Sequence, residues 1–444
     1  SGYLAATVEY QIPDDEDSVV YSIALGPKMY VGNVRCEGNA ISHDQAILRL
    51  AKLQQGDVIS RKALRNAEES LYRLGVFRIV AIEPNDGIFD QDKEDLVIRL
   101  VERDAGSMDL GIEYNTEDGV HLSGEVSQRN LDGEGNGLLL GIDGYFKSGS
   151  RLFNAGTARI NYLRNALFGT SAKGAIEGFA QYSIELVEPV DYDRIGALST
   201  IQLPISEGIS STLGITGYDQ SLADVPEDMS ISDLDSGTHF FSNLNGGIEW
   251  DGRDNAFNPR RGFRTQLNAR WSSSVLGSEA DFIGMRVLQS AFLPLGSELV
   301  WANSFKGEIL EPLNDTSTIP IGDRIFLGGR NSIRGFSRNV IGPRGDELHI
   351  VGGDRGANIS SELQYDFSES AVGVLFLDVG QAFLKNRGTF DGNGNGIADL
   401  RYSPGLGIRY KTPIGPISAE YGFALDHEFG ERFGRLHFAI GAPF

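Results

Sequence analysis

The chain ends in RLHFAIGAPF, residues 435–444, and the pattern of this segment is the strongest single indication of the fold class. Apolar side chains occupy every second position from Leu436 to Phe444, and polar or small residues fill the positions between them. Alternation with a period of two predicts a β-strand with one apolar face. Pro443 cannot donate a ladder hydrogen bond, so together with Gly441 it predicts a poorly paired strand end. Such an end is either ordinary fraying at a chain terminus or a seam that is built to open.

The same alternation runs upstream through residues 105–444. Segments of apolar and small or polar side chains are separated by clusters of Gly, Asn, Asp and Ser, with no long amphipathic helix between them. About sixteen such segments fit, which leaves ~21 residues for each strand with its turn and suits a transmembrane antiparallel β-barrel. A soluble all-β assembly such as a propeller is the alternative, because the alternation signal is weak in any single segment.

The composition is compatible with a barrel, because the mean hydropathy averages over the two faces of each strand. Hydrophobic residues make up 41% and charged residues 23% of the chain, and the mean hydropathy is -0.19. Only alternate side chains of a barrel strand face lipid, so this value is compatible with an apolar outer surface. The net charge of -22 disfavours nucleic-acid binding, because it repels phosphate backbones. The single cysteine, Cys36, excludes an internal disulfide.

Residues 27–104 follow a different pattern, which predicts a small α+β module of the order β-α-α-β-β. Two helices are predicted, His43–Leu53 and Arg61–Leu74, because their apolar residues recur at helical spacing. Ser42 and Ser60 precede them and are predicted as N-caps. The three strands are predicted at Met29–Glu37, Arg78–Glu83 and Leu96–Glu102.

Residues 1–26 look like the end of a preceding copy of the same module. Tyr3–Gln11 and Val19–Leu25 alternate around an acidic turn, as the last two strands of the module do. We therefore expect a C-terminal remnant of one module here, with further modules missing upstream.

Several motifs together resemble the superfamily of BamA and TamA, in which POTRA modules precede a sixteen-stranded outer-membrane barrel. The resemblance covers essentially the whole chain and includes a final strand ending in Phe, similar to the recognition signal of bacterial outer-membrane barrels. It implies a bacterial outer-membrane location with POTRA in the periplasm. The motifs lie at Tyr30–Val34, Leu71–Phe77, Leu110–Gly119, Asp251–Asp254 and Asp323–Phe336. Residues 412–417 and 439–444 look slightly more similar to TamA than to BamA.

The resemblance also implies a loop lock inside the barrel. Residues Ile333, Arg334, Gly335 and Phe336 match the tip of the family's long sixth extracellular loop, here residues from about 311 to 355, which folds back into the lumen. By the family's pattern, Arg334 meets the acidic residues of the twelfth and thirteenth strands, Glu362 and Asp378. A guanidinium can hold two carboxylates through its fixed fork of donors, which supports this expectation independently.

The function implied is that of an assembly factor, which folds and inserts β-barrel or autotransporter-type proteins through a lateral seam between the first and last strands. Its partners would be the lipid bilayer, unfolded client barrels, and periplasmic or inner-membrane assembly partners of the POTRA modules. A two-partner secretion translocator, which exports one protein through the pore, is the alternative, and a passive porin is the third. The seam residues are predicted to be Leu110, Gly111, Ile112, Tyr114, Phe438, Ile440, Gly441 and Phe444.

One stretch has the oxygen spacing of a calcium loop, with Asp391, Asn393, Asn395 and Asp399 as ligands. Tyr402 stands where a bidentate Glu belongs, and Asp/Asn/Gly tracts are also ordinary turns, so both interpretations stay open. No other cofactor is implied. The six scattered histidines and the lack of nucleophile-elbow or phosphate-loop motifs favour a protein that is not an enzyme.

Overall fold

The computed structural model describes residues 7–11, 19–25, 28–85, 92–147, 153–167, 170–187, 190–256, 258–345, 347, 349–385, 400–412, 415–427 and 432–440. The chain divides into two compact units. The first comprises residues 1–108, 126–139 and 162–174, and the second comprises residues 109–125, 140–161 and 175–444. Among the described residues, neither α-helix is long and apolar enough to cross a membrane.

The first unit begins with two small sheets. Strands β1 (Thr7–Gln11) and β2 (Val20–Ala24) form an antiparallel hairpin within the segments predicted for the end of a module. The next strands and helices have the predicted order β-α-α-β-β, and their sheet has the strand order β3-β5-β4, so β3 lies at an edge. These elements are β3 (Tyr30–Glu37), α1 (Asp44–Ala51), α2 (Arg61–Tyr72), β4 (Phe77–Pro84) and β5 (Lys93–Glu102).

This module has a core of its own, because both helices bury their apolar faces against the sheet. Ile47 from α1 and Leu71 from α2 are buried in one cluster with Val31, Phe77 and Ile98 from the three strands. The helical spacing of Ala46, Ile47 and Leu50 and of Ala67 and Leu71 therefore marked the buried faces correctly.

The two predicted helix caps had different outcomes. Ser60 is the N-cap of α2, and its hydroxyl accepts a hydrogen bond from the Ala63 amide at 3.1 Å. Ser42 as the cap of α1 was wrong: His43 holds that position, without a side-chain cap. The Ser42 amide instead donates to Glu102 at 2.7 Å, and its hydroxyl contacts the Asn130 side-chain amide at 2.9 Å.

The Glu102 carboxylate binds three successive backbone amides just before α1. It accepts from the amides of Ala40 and Ile41, each at 3.0 Å, as well as from Ser42. Burial alone would raise the pKa of Glu102, but these hydrogen bonds outweigh it and lower the pKa below its usual value. An ionised Glu102 therefore stabilises this turn.

The rest of the chain forms a closed antiparallel β-barrel of sixteen strands, which confirms the predicted fold class. β6 and β21 are neighbours, so the first and last barrel strands close the sheet. The strands are β6 (Gly106–Asn115), β7 (Gly119–Gln128), β8 (Gly137–Phe146), β9 (Phe153–Arg164), β10 (Lys173–Val187), β11 (Val190–Ser206), β12 (Ile209–Ala223), β13 (Gly237–Asp251), β14 (Gly262–Ser272), β15 (Phe282–Pro294), β16 (Leu299–Pro312), β17 (Arg355–Asp366), β18 (Ala371–Phe383), β19 (Arg401–Thr412), β20 (Gly415–Phe423) and β21 (Gly434–Ile440).

Strand β19 shows how the side chains divide between the two faces. Leu406, Ile408 and Tyr410 are about half exposed on one face, as lipid-facing residues are in a chain without lipid. Ser403 is buried on the opposite face, which also carries Arg409. The mean hydropathy of the chain is close to zero because it averages an apolar outer face and a polar inner face.

The connection between β16 and β17, residues 313–354, is packed against the inner wall of the barrel. Isolated bridges join Ile325 to Gly353 and Leu327 to Ile341, so the connection is folded rather than extended. Its apolar side chains form one buried cluster with the barrel wall. The cluster includes Ile325, Leu327, Ile333, Phe336 and Ile341 from the connection, and Tyr218, Phe241, Phe282 and Leu310 from the strands.

Candidate functional site

The structure brings Arg334 and Asp378 together as the sequence predicted. The Arg334 guanidinium donates to both carboxylate oxygens of Asp378, at 2.7 and 2.6 Å, and the Arg334 amide donates to the same group at 3.1 Å. The Asp378 side chain is wholly buried and that of Arg334 is 5% exposed. The guanidinium also lies 3.4 Å over the ring of Phe376. This geometry is a bidentate, desolvated ion pair of the kind that fixes a position closely.

Glu362 is the third predicted member of the loop lock, and its carboxylate accepts from Arg334 at 2.6 Å. The sequence did not predict two further members, Glu420 and Arg409. Glu420 accepts from Arg334 at 2.9 Å and from Arg409 at 2.7 Å, and Arg409 also donates to Glu362 at 3.1 Å. Three carboxylates therefore share two guanidiniums. The available signal was a charged residue at a lumen-facing position in each of the neighbouring strands β19 and β20.

The remaining residues of the predicted loop tip are buried around Arg334. The Gly335 amide donates to the Ser403 hydroxyl at 2.7 Å, and a Cβ on Gly335 would lie 2.7 Å from the Phe423 carbonyl oxygen. Glycine is therefore required by the close approach of β20. Ile333 and Phe336 are buried in the apolar cluster, and the guanidinium of Arg401 lies 4.6 Å over the Phe336 ring.

The base of the same connection carries a second anchor, which was not predicted from the sequence. Asp323 is almost fully buried, accepts from Arg270 at 2.6 Å and lies 4.0 Å from Arg194. The next residue, Arg324, forms a fully buried ion pair with Asp235 and donates to the carbonyl oxygens of Ile319 and Val351. The adjacent opposite charges of Asp323 and Arg324 were the signal in the sequence.

The seam is the junction of β6 and β21. The described residues pair across it at two positions, Asn115 with Ala439 and Tyr114 with Ile440. Thr116 adds backbone and side-chain hydrogen bonds to β21.

The predicted seam residues lie on both strands. Leu110 and Ile112 are each 75% exposed, and the rings of Tyr114 and Phe438 contact each other across the seam at 6.2 Å. Gly111 faces Ser123, whose hydroxyl oxygen would lie 2.3 Å from an added Cβ. Ile440 is in the ladder, and Gly441 and Phe444 lie outside the described residues.

The candidate calcium ligands Asp391, Asn393, Asn395 and Asp399 also lie outside the described residues. In the described part of the chain, Asp228, Glu347 and His349 have potential ligand atoms within 4.8 Å of one another. Their contacts are explained by hydrogen bonds, because Asp228 accepts from the Glu347 amide and contacts the His349 ring at 2.9 Å. This group is an ordinary polar contact between two loops.

A closed sixteen-stranded barrel with a loop lock against its inner wall, following a β-α-α-β-β module, defines the class of outer-membrane β-barrel proteins that carry POTRA modules. Two family models match the chain: the Omp85 superfamily domain over residues 112–444, and POTRA, described as a surface antigen variable number repeat, over residues 29–103. The chain belongs to the Omp85 superfamily. It is an outer-membrane protein with its POTRA module in the periplasm.

Individual relatives agree with this family. The outer membrane protein assembly factor BamA of Nitratidesulfovibrio vulgaris is 27% identical over 96% of the chain, but the chain spans only 53% of that protein. Among solved structures, BamA from Haemophilus ducreyi lacking POTRA domains 1–3 matches 99% of the chain and 90% of its own, with a TM-score of 0.82 and 20% identity. CdiB from Acinetobacter baumannii covers 99% of the chain and 78% of its own, at a TM-score of 0.58 and 15% identity.

These matches confirm the resemblance predicted from the sequence. The matched assembly factors carry the name BamA, and the slight similarity of residues 412–417 and 439–444 to TamA stays a prediction.

Proposed function

We propose that the protein is an outer-membrane assembly factor that folds and inserts β-barrel or autotransporter-type clients through the seam between β6 and β21. The observation that carries this proposal is the closure of the barrel between its first and last strands, where the described residues pair Asn115 with Ala439 and Tyr114 with Ile440. The relative from Nitratidesulfovibrio vulgaris, named outer membrane protein assembly factor BamA, supports the same function.

The solvent around the seam sets the cost of opening it. An unpaired strand edge in a bilayer has no water to satisfy its backbone groups, so an edge that stays open is very costly. The cost falls when another strand takes up the edge of β6 as soon as it is released. An incoming client hairpin can then pair with the freed edge of β6 and satisfy those groups again. Insertion by this route needs no cofactor and no catalytic residue, because the folding of the client and the burial of its apolar face in lipid drive it.

The loop lock would support insertion by keeping the barrel wall beside the seam in one arrangement. Glu420 lies on β20, one strand from the seam, and Arg334 ties it to β17 and β18 through Glu362 and Asp378. The loop lock therefore ties strands β17 to β20 together next to the seam.

The POTRA module would receive clients and assembly partners at the edge of its sheet. Strand β3 is an edge strand with β5 as its neighbour, so an extended client segment can add beside it through backbone hydrogen bonds. The clients themselves are unfolded barrel proteins, and the outer face of the chain's own barrel contacts the lipid bilayer.

A disulfide across the seam tests the proposal. Asn115→Cys with Ala439→Cys, in a Cys36→Ser background, joins a directly opposed pair, whereas Ser418→Cys with Ala439→Cys joins β20 to β21 and leaves the seam free. The full-length protein is expressed in cells depleted of the native copy, and the outer-membrane proteome is measured. We expect the first disulfide to cause loss of many barrel proteins and the second to be tolerated. A normal proteome with the seam locked would refute insertion through the seam, and loss of one exported protein alone would indicate a translocator.

A further inference from the structure

His437 lies on β21 at the inner face of the seam and makes a contact that its place in a strand does not require. Its side chain is 2% exposed. The Nε2 atom lies 2.5 Å from the backbone carbonyl oxygen of Arg334, the central residue of the loop lock. On the neighbouring strand β20, the residue directly opposite is Glu420, another member of the lock. One imidazole therefore contacts the lock from the last strand of the barrel.

The other ring nitrogen of His437 points across the seam. Two residues beyond the pair of Asn115 and Ala439, the same register brings His437 opposite Glu117, in the turn after β6. The Nδ1 atom is 3.7 Å from Glu117 Oε1, and the Glu117 side chain is 9% exposed. Nδ1 is buried and has no hydrogen-bond partner. The Glu117 carboxylate accepts from the Arg330 amide of the loop, with its two oxygens at 3.2 and 3.1 Å.

The loop between these contacts bridges the two sides of the seam. Arg338 pairs with Asp118 in the turn after β6, and Arg435 on β21 donates to the Ser337 hydroxyl. Residues 330–338 therefore contact the last barrel strand and the turn that follows the first one. These contacts connect the loop that carries the lock with both sides of the seam.

The hydrogen-bond roles decide where the protons lie. The Arg334 carbonyl can only accept, so Nε2 carries the proton of a neutral ring and Nδ1 presents a lone pair. That lone pair faces the Glu117 carboxylate, which is also an acceptor, so a neutral His437 gives this contact no attraction. A second proton on Nδ1 converts the contact into a charge-assisted pair across the seam.

We propose that His437 and Glu117 form a proton-dependent latch that positions β21 against β6 and joins seam closure to the loop lock. The charged groups that surround the imidazole are Glu117 from the turn after β6, Glu420 from β20, Arg334 from the loop and Arg435 on β21 itself. Protonation at lower pH closes the latch, and loss of the proton at higher pH releases it. The latch rests on the proposed function, because it regulates the seam through which clients would insert.

Distances between spin labels test the latch without any client. Labels on Val120→Cys in β7 and Tyr410→Cys in β19, in a Cys36→Ser background, flank the seam at exposed positions. Four strand steps separate them, or about 19 Å of backbone at the usual strand spacing. Pulsed electron paramagnetic resonance on the full chain in nanodiscs should show the short distance losing population to a longer one as the pH is raised.

Two single substitutions should remove this pH dependence in opposite directions. Glu117→Gln keeps an oxygen for the Arg330 amide and offers an amide donor to Nδ1, so the short distance should dominate at every pH. His437→Gln can donate to the Arg334 carbonyl but presents its own oxygen to Glu117, so the longer distance should persist at every pH. His239→Gln, which removes another His–Glu contact, with Glu279 at 2.7 Å, is the matched control and should keep the native profile.

A native distance that does not change with pH would overturn the latch, and so would a His437→Gln protein with the native profile. Folding of each variant is checked by the mobility of unheated and heated samples in electrophoresis. The outcome is separable from that of the proposed function: a seam that responds to pH in a protein that supports no client insertion keeps the latch and refutes the assembly role. If the disulfide across the seam abolishes insertion and the distance does not change with pH, the assembly role is supported and the latch is refuted.

Discussion

At the scale of single residues, Arg334 is the side chain whose loss should cost most, because Asp378 is wholly buried beside it. Arg334→Ala would leave that carboxylate without its bidentate partner, and we expect the free energy of unfolding to fall by about 3–5 kcal/mol. Arg334→Lys should recover only part of this loss, since an ammonium cannot repeat the fork. Urea unfolding of the chain in detergent micelles measures both values.

Arg264→Ala is the control for Arg334→Ala. Arg264 also binds a carboxylate, donating to Glu249 at 3.0 Å, but the two side chains are 37% and 33% exposed. Its loss should cost less than about 1 kcal/mol, as for other partly exposed pairs. Equal losses in the two variants would contradict a special role for burial at the loop lock.

The sequence predicted individual site residues where a motif or a pattern carried them. Arg334, Glu362 and Asp378 were predicted because the loop tip and two strand motifs resemble the family's lock, and the structure brings all three together. Glu420 and Arg409 were missed, since an isolated charge in a strand does not show which neighbour it meets. His437 was read only as a polar position in an alternating strand, because its two partners lie in a turn and a loop far away in the chain.

At the scale of elements, the connection of residues 313–354 is held at two places, the loop lock at its tip and the anchor around Asp323 at its base. Asp323→Asn would keep the shape of the side chain but remove the charge that meets Arg270 and Arg194. We expect local opening of the connection to become easier by on the order of 2 kcal/mol, with faster cleavage by trypsin in this segment.

Asp315→Asn supplies the control for this experiment. Asp315 lies in the same connection and is exposed, so its substitution removes the same charge but leaves no buried counter-charge unpaired. The rate of cleavage should stay close to that of the native chain. If Asp323→Asn also leaves the rate unchanged, the tip alone holds the connection and the base is not an anchor.

Helices and strands were predicted best where one spacing of apolar residues persisted along the whole element. The helices of the POTRA module followed from apolar spacing, and strand alternation gave the barrel, because lipid and lumen impose opposite demands on successive side chains. The cap of α1 failed for a tertiary reason: Glu102 and Asn130 bind the groups of Ser42 that a cap would use. A local rule cannot register competition from residues so distant in the sequence.

At the scale of the whole molecule, the first compact unit unites segments that are far apart in the chain, since residues 126–139 and 162–174 belong to it together with residues 1–108. The turn near Gly133 shows how. The His43 amide donates to the Gly133 carbonyl oxygen at 2.9 Å, and Asn130 contacts Ser42 at 2.9 Å. Nothing in the alternation of the strands predicted this contact, because backbone groups and a side-chain amide make it.

Gly133→Ala should break this contact for two physical reasons. Gly133 has a φ of +73°, which disfavours a side chain, and an added Cβ would lie 2.8 Å from the Ile41 carbonyl oxygen. We expect the His43 amide to exchange its hydrogen on the order of tenfold faster, corresponding to about 1.4 kcal/mol of easier local opening. Hydrogen exchange followed by mass spectrometry reports this amide in the full chain.

Gly237→Ala distinguishes the effect of backbone strain from that of the Cβ collision. Gly237 has a similar φ of +79°, but a Cβ there would meet nothing within 4 Å, so it carries the backbone strain without the collision. Exchange at His43 should keep its native rate in that variant, since the strain lies elsewhere in the chain. Faster exchange at His43 in both variants would mean that general destabilisation, rather than the turn at Gly133, controls this part of the first unit. Native exchange in Gly133→Ala would show that the turn contributes nothing to holding the helix end in place.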